Sequence, residues 1–138
     1  MRPINNKTFL LYLLAAMNFT HIVDFMIMMP LGDYLMKLFG ISPQQFTVIV
    51  SAYTFSAGVS GFLGAFVIDR FDRRTAILFT YFGFSLGTLS VALANSYFQL
   101  VAARIFTGLF GGLISALVLS IVSDLFNFKE RGKAMGIV

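Results

Sequence analysis

Residues 98–122 read FQLVAARIFTGLFGGLISALVLSIV, and this stretch decides the fold. It is long enough to cross a bilayer, which takes about 20 apolar residues in a helix. Its single charge is Arg104. Three further apolar runs precede it, at about 8–31, 46–68 and 75–94. The chain has 138 residues, of which 58% are apolar and 12% charged. Soluble domains carry about 25% charged residues, and the mean hydropathy here is +0.85. There are too few polar side chains to coat a soluble core. The expected fold is all-α and integral to the membrane, with four transmembrane helices and the start of a fifth from about 131. Residues 1–138 are expected to form one partial transmembrane domain.

The first run follows Arg2 and Lys7, as a signal peptide would. It is too long for the apolar core of one, and no small-x-small cleavage site follows it. Pro30 and Gly32 are expected to end its helix. Residues 32–45 read as a loop with a short amphipathic helix around 34–39. Ser42-Pro43-Gln44-Gln45 is a helix start: serine caps, proline takes the first turn, and Gln45 completes a capping box. The second and third runs are joined by the charged turn Asp69-Arg70-Phe71-Asp72-Arg73-Arg74, and the third and fourth by Asn95-Ser96.

Basic residues cluster on one side of the membrane where that side is cytoplasmic. Arg2 and Lys7, then Arg70, Arg73 and Arg74, then Lys129, Arg131 and Lys133 alternate with the far-side connections, which hold only Lys37. The amino end is therefore expected in the cytoplasm. The net charge of +4 reads as this topology signal, and no nucleic-acid partner is expected. The lipid bilayer is the expected surrounding.

Ionisable residues inside a span are costly, about 2.5–3.5 kcal/mol at the bilayer centre on insertion scales, and need a reason. Here they are His21, Asp24 and Arg104. At about 100° per residue, Met17, His21, Asp24 and Met28 share one face of the first helix. That face is expected to line the bundle interior or a wet cavity. Asp24 reads either as a static ion pair that fixes packing or as a protonatable site or substrate contact. His21 reads as a neighbour hydrogen-bonded to it or as part of the same site. At about 1.5 Å per residue, Arg104 lies about 10 Å into the fourth span, and Asp24 about 9 Å below Pro30 from the same side. Matching depths make the two a pair if their helices adjoin.

Small residues recur at helical spacing: Gly83 with Gly87, Gly108 with Gly112, and Gly58 and Gly61 on the second helix. Small residues let helices approach closely in lipid, so these read as packing positions. With no Cys and one His, disulfides, thiolate chemistry and metal sites have no basis. No nucleophile–base pair or phosphate loop is present either, so neither an enzyme nor a cofactor is expected.

The segment Ala65-Phe66-Val67-Ile68-Asp69-Arg70-Phe71-Asp72-Arg73-Arg74 resembles the signature G-x-L-A-D-R-x-G-R-K/R between helices 2 and 3 of major facilitator superfamily transporters. Asp69, Arg70, Arg73 and Arg74 match it. Ala65 stands for the first Gly, with Gly64 one residue early, and Asp72 for the second. Arg104 with Gly108, followed by Gly111-Gly112, resembles the fourth-helix Arg-x-x-x-Gly motif of proton-coupled members. Asp24 before Pro30 is similar to the drug/proton antiporter branch, and Glu130-Arg131-Gly132-Lys133-Ala134 to the start of helix 5. The resemblance covers nearly the whole chain but only about a third of the usual twelve-helix transporter, within its amino-terminal six-helix half.

The resemblance implies a proton-coupled exporter of a small molecule, working by alternating access in the inner membrane of a bacterium. Protons, substrate and the remaining transporter helices would be its partners. Asp24, Arg104, His21, Met17 and Met28 would serve proton coupling and substrate. Asp69, Arg70, Arg73, Arg74, Asp124 and Arg131 would form a cytoplasmic gating cluster. A complete four-helix exporter acting as a dimer, and a non-transporting membrane subunit, are the rival readings.

Overall fold

In a computed structural model of the chain, residues 3–138 are described, with side chains from residue 6 onward. Arg2, one of the basic residues of the topology argument, lies outside the described residues. The order is α1 (Pro3–Met26), α2 (Gly32–Phe39), α3 (Pro43–Val67), a 3-10 turn (Ile68–Arg70), α4 (Arg73–Ala92), α5 (Tyr97–Leu125) and α6 (Phe128–Ile137). Four of these, α1, α3, α4 and α5, are long and apolar enough to cross a membrane. There is no strand among the described residues.

Local chemistry sets the helix starts. Ser42 Oγ accepts from the Gln45 backbone N–H at 3.3 Å, and the Gln45 side chain accepts from the Ser42 N–H at 2.9 Å, with Pro43 in the first turn. This is the reciprocal capping that the spacing predicts. Asp72 caps α4 by accepting from the Thr75 N–H. Ser96 caps α5 by accepting from the Gln99 N–H. Gly40 ends α2 at φ 62°, a left-handed conformation that glycine adopts without a Cβ penalty.

Several helix boundaries differ from the sequence expectation. The first helix stops at Met26 rather than near residue 31. Pro30 has no N–H, and its ring clashes with the carbonyl four residues back, which is that of Met26. Residues 27–31 become turns, with Met29 and Gly32 bonding three residues back. The fourth span runs to Leu125 rather than 122, and the next helix begins at Phe128 rather than about 131. Arg131 explains the first of these. Its Nη2 donates to the Ser123 carbonyl at 2.8 Å and its Nε to the Phe126 carbonyl at 3.2 Å. A cation on the last carbonyls stabilises the end of a helix.

The central element is α5, which packs against α3, α4, α1 and α6. Its glycines explain how. A Cβ on Gly108 would strike Ser56 Oγ and the Tyr53 carbonyl, and one on Gly112 would strike the Ala57 carbonyl and Ser60 Oγ. Both face α3, which therefore lies backbone against backbone on α5. On the other side, Gly83 and Gly87 of α4 sit against Phe110 and Thr107. Gly61 is in ordinary contact with the Gly112 carbonyl at 3.4 Å. Gly58 departs from the packing expectation, because a Cβ there would meet nothing within 4 Å among the described residues. It shares a stripe with Gly61 in sequence but points away from α5.

Two apolar clusters close the ends. Met28, Ile41, Ile49 and Leu100 form one beneath α2. Leu11, Leu14, Phe84, Ile114, Val118, Ile121, Val122 and Ala134 form the other, toward the charged end. The site lies between them.

Candidate functional site

Asp24 on α1 and Arg104 on α5 face each other. Arg104 Nη1 donates to Asp24 Oδ2 at 3.0 Å, and the side chains are 1% and 11% exposed for Arg104 and Asp24. Thr88 of α4 donates to the other carboxylate oxygen at 3.4 Å. The Tyr53 ring of α3 lies beneath the guanidinium, with Arg104 Cζ 4.2 Å from the ring centroid. All four long helices thus converge on one ion pair. Two charges removed from water are held together by mutual attraction and hydrogen bonds, and removing either strands the other. The pairing satisfies only part of Arg104, because its Nε and Nη2 have no hydrogen-bond partner among the described residues.

His21 sits one turn before Asp24 but does not hydrogen-bond to it. Its ring lies against Tyr53 at 6.1 Å, Phe84 at 5.8 Å and the backbone of Gly111. Both ring nitrogens are buried without a partner among the described residues. The two methionines of the predicted face lie elsewhere. Met28 belongs to the apolar cluster with Ile41, Ile49 and Leu100. Its placement beside Asp24 assumed a continuous helix, and α1 ends at Met26. Met17 lines a groove with Leu10, Leu14, Leu78 and Ile121, nearer the charged end.

Tyr53 is the residue that the sequence reading missed. It is buried at 3% exposure, ten positions into α3. Tyrosines concentrate at the two membrane interfaces, where one end of the ring is wet. A tyrosine well inside a span was therefore the available signal.

A second cluster stands at the end of the bundle that carries the basic turn. Arg73, at the start of α4, contacts Asp69 at 2.9 Å and Asp124, near the end of α5, at 3.0 Å. Its Nε also donates to Asp124 Oδ2 at 3.1 Å. One guanidinium thus ties α4, α5 and the turn after α3 together. Asp72 takes no part in this and serves as the cap of α4. Arg70 and Arg74 are exposed and form no ion pair among the described residues. Arg131 meets carbonyls rather than a carboxylate. Among the described residues no three His, Cys, Asp or Glu side chains gather as metal ligands would.

An α-helical membrane bundle built around an intramembrane Asp–Arg pair, with an ionic knot at one end, defines a class that comparison with known proteins narrows. The model of the Major Facilitator Superfamily matches residues 8–138, and the chain belongs to that family. It is an integral membrane protein. It is 32% identical over 132 residues to the MFS-type transporter YhcA of Bacillus subtilis, covering 96% of this chain and 25% of that one. It is 26% identical over 137 residues to Multidrug resistance protein 2 of the same organism, covering 99% of this chain and 34% of that one. To the efflux pump dotC of Dothistroma septosporum it is 31% identical over 97 residues, covering 70% of this chain and 17% of that one. The chain therefore spans about a quarter to a third of the bacterial relatives it matches.

Proposed function

We propose that the chain forms part of a proton-coupled exporter of small molecules. The observation that carries this reading is the Asp24–Arg104 pair, buried between α1 and α5. A carboxylate there has two arrangements. Ionised, it holds Arg104. Protonated, it loses the charge that attracts the guanidinium, and the helices that meet at the pair are released to repack. A buried group with two discrete arrangements is what alternating access requires, since binding can shift an equilibrium only by favouring one state over the other. His21, packed against Tyr53 one turn away, belongs to the same site. Met17 and Met28 lie outside the ion pair's surroundings and have no part in this reading.

The names of the relatives support export: one is called a multidrug resistance protein and another an efflux pump. The bias of basic residues supports an orientation with the amino end, the 69–74 turn and α6 on the cytoplasmic side, and the bacterial relatives favour the inner membrane of a bacterium. The Arg73 knot then lies on the cytoplasmic side and holds the helix ends together in the outward-facing state. Arg70 and Arg74, exposed beside it, suit anionic headgroups or carboxylates on the remaining transporter helices.

The test is transport by the complete gene product in proteoliposomes. A lipophilic fluorescent cation should move against its own gradient when a proton gradient is imposed in the opposite direction. Movement indifferent to that gradient would contradict proton coupling.

A further inference from the structure

The Asp24–Arg104 contact is a single hydrogen bond from Nη1, and the Nε and Nη2 positions are unpartnered among the described residues. An arginine that grips a carboxylate with two parallel bonds has its plane fixed by them. One bond leaves the plane free to turn. The group that faces it is the Tyr53 ring, 4.2 Å from Cζ. That ring is itself held, with Phe25 of α1 stacked at 5.5 Å and an interplanar angle of 28°, and His21 at 6.1 Å. The glycines one and two turns after Arg104 make room for it. A Cβ on Gly108 would strike the Tyr53 carbonyl, and one on Gly111 would come within 2.8 Å of the Tyr53 hydroxyl. That hydroxyl has no partner among the described residues, so the ring face is the part in use.

We propose that Tyr53 is a positioning residue whose ring face holds the Arg104 guanidinium on Asp24. This rests on the reading of Asp24 as the proton-responsive carboxylate, and it adds a residue that acts on that carboxylate only through the arginine. A desolvated cation over an aromatic face is strongly held, and loss of the face should free the carboxylate.

Dicyclohexylcarbodiimide, which modifies protonated carboxyls in apolar surroundings, gives a direct measure. The complete gene product in detergent is treated at one fixed pH, and modification of the α1 peptide is followed by mass spectrometry on monodisperse protein. Arg104→Gln should expose Asp24 to the reagent. Tyr53→Leu should speed its modification about thirtyfold, the effect of losing a desolvated cation–π contact. Tyr53→Phe and Tyr53→Trp keep a ring face and should label at the unaltered rate, a rescue that a merely space-filling role would not give. If Arg104→Gln accelerates labelling and Tyr53→Leu does not, the role of Tyr53 is overturned while the ion pair stands. If Arg104→Gln has no effect, the carboxylate is not governed by the pair, and both readings fall. Slow labelling in Tyr53→Leu, or fast labelling in the monodisperse phenylalanine and tryptophan variants, likewise overturns the proposal.

Discussion

Asp24 and Arg104 lie 80 residues apart in the chain and 3.0 Å apart in the bundle, and Arg104 is 1% exposed. Among the described residues neither side chain has an equivalent alternative partner. Among the described residues, Arg104→Gln leaves the Asp24 carboxylate with only the Thr88 hydroxyl, and stranding a buried charge costs about 3–5 kcal/mol. Thermal unfolding in detergent should show that loss. Combining it with Asp24→Asn should restore part of the stability, because the stranded charge is gone. Strict additivity of the two changes would mean that the pair is not coupled.

The glycines of α5 and α4 should differ in their tolerance. At Gly112 a new Cβ meets the Ala57 carbonyl, which is backbone and cannot swing aside. At Gly83 it meets the ring of Phe110, which is only partly buried. Overpacking a close contact costs about 1–3 kcal/mol. Gly112→Ala should therefore lower the unfolding midpoint more than Gly83→Ala. The reverse order would show that the α3–α5 approach is looser than the structure has it.

Both carboxylates of the Arg73 knot are exposed and Arg73 itself is half-buried, and ion pairs open to solvent contribute about 0–1 kcal/mol each. Arg73→Ala should barely move the unfolding midpoint. Under the gating role it should still slow transport, because it removes the tie between helix ends. A large loss of stability, or undiminished transport, would count against that role.

Topology can be checked without background labelling from this chain, because it has no cysteine. Lys37→Cys on α2 and Arg74→Cys at the start of α4 are both at exposed positions. A membrane-impermeant maleimide added to intact cells should modify the first and spare the second. Modification of Arg74→Cys alone would reverse the assignment of sides, and equal modification of both would contradict their separation by the membrane.

The legible features were those in which chemistry and surroundings conflict. Asp24 and Arg104 stand in apolar runs, so a charge there announces itself, and the known rise per residue gives its depth. Ser42 and Gln45 are legible because a capping box is a local code. Met28 was misplaced because the helical wheel runs past Met26, where the clash of the Pro30 ring ends α1. Arg131 showed its charge but not its partner, and carbonyls at a helix end leave no trace in composition. Gly58 and Gly112 look alike in sequence, and only the packing of α3 on α5 separates them. Tyr53 counted as one more apolar residue until the arginine was found above it.

Coupling itself is tested most directly at Asp24. The complete gene product, unaltered and with Asp24→Asn, is reconstituted into proteoliposomes that contain a pH-sensitive dye, and proton movement is recorded when a transported cation is added. The amide is nearly the size and shape of the protonated carboxyl but carries no exchangeable charge. The account predicts that the unaltered protein moves protons on addition of the cation, and that Asp24→Asn binds the cation without moving any. Proton movement undiminished in Asp24→Asn would contradict the account and remove this carboxylate from the mechanism.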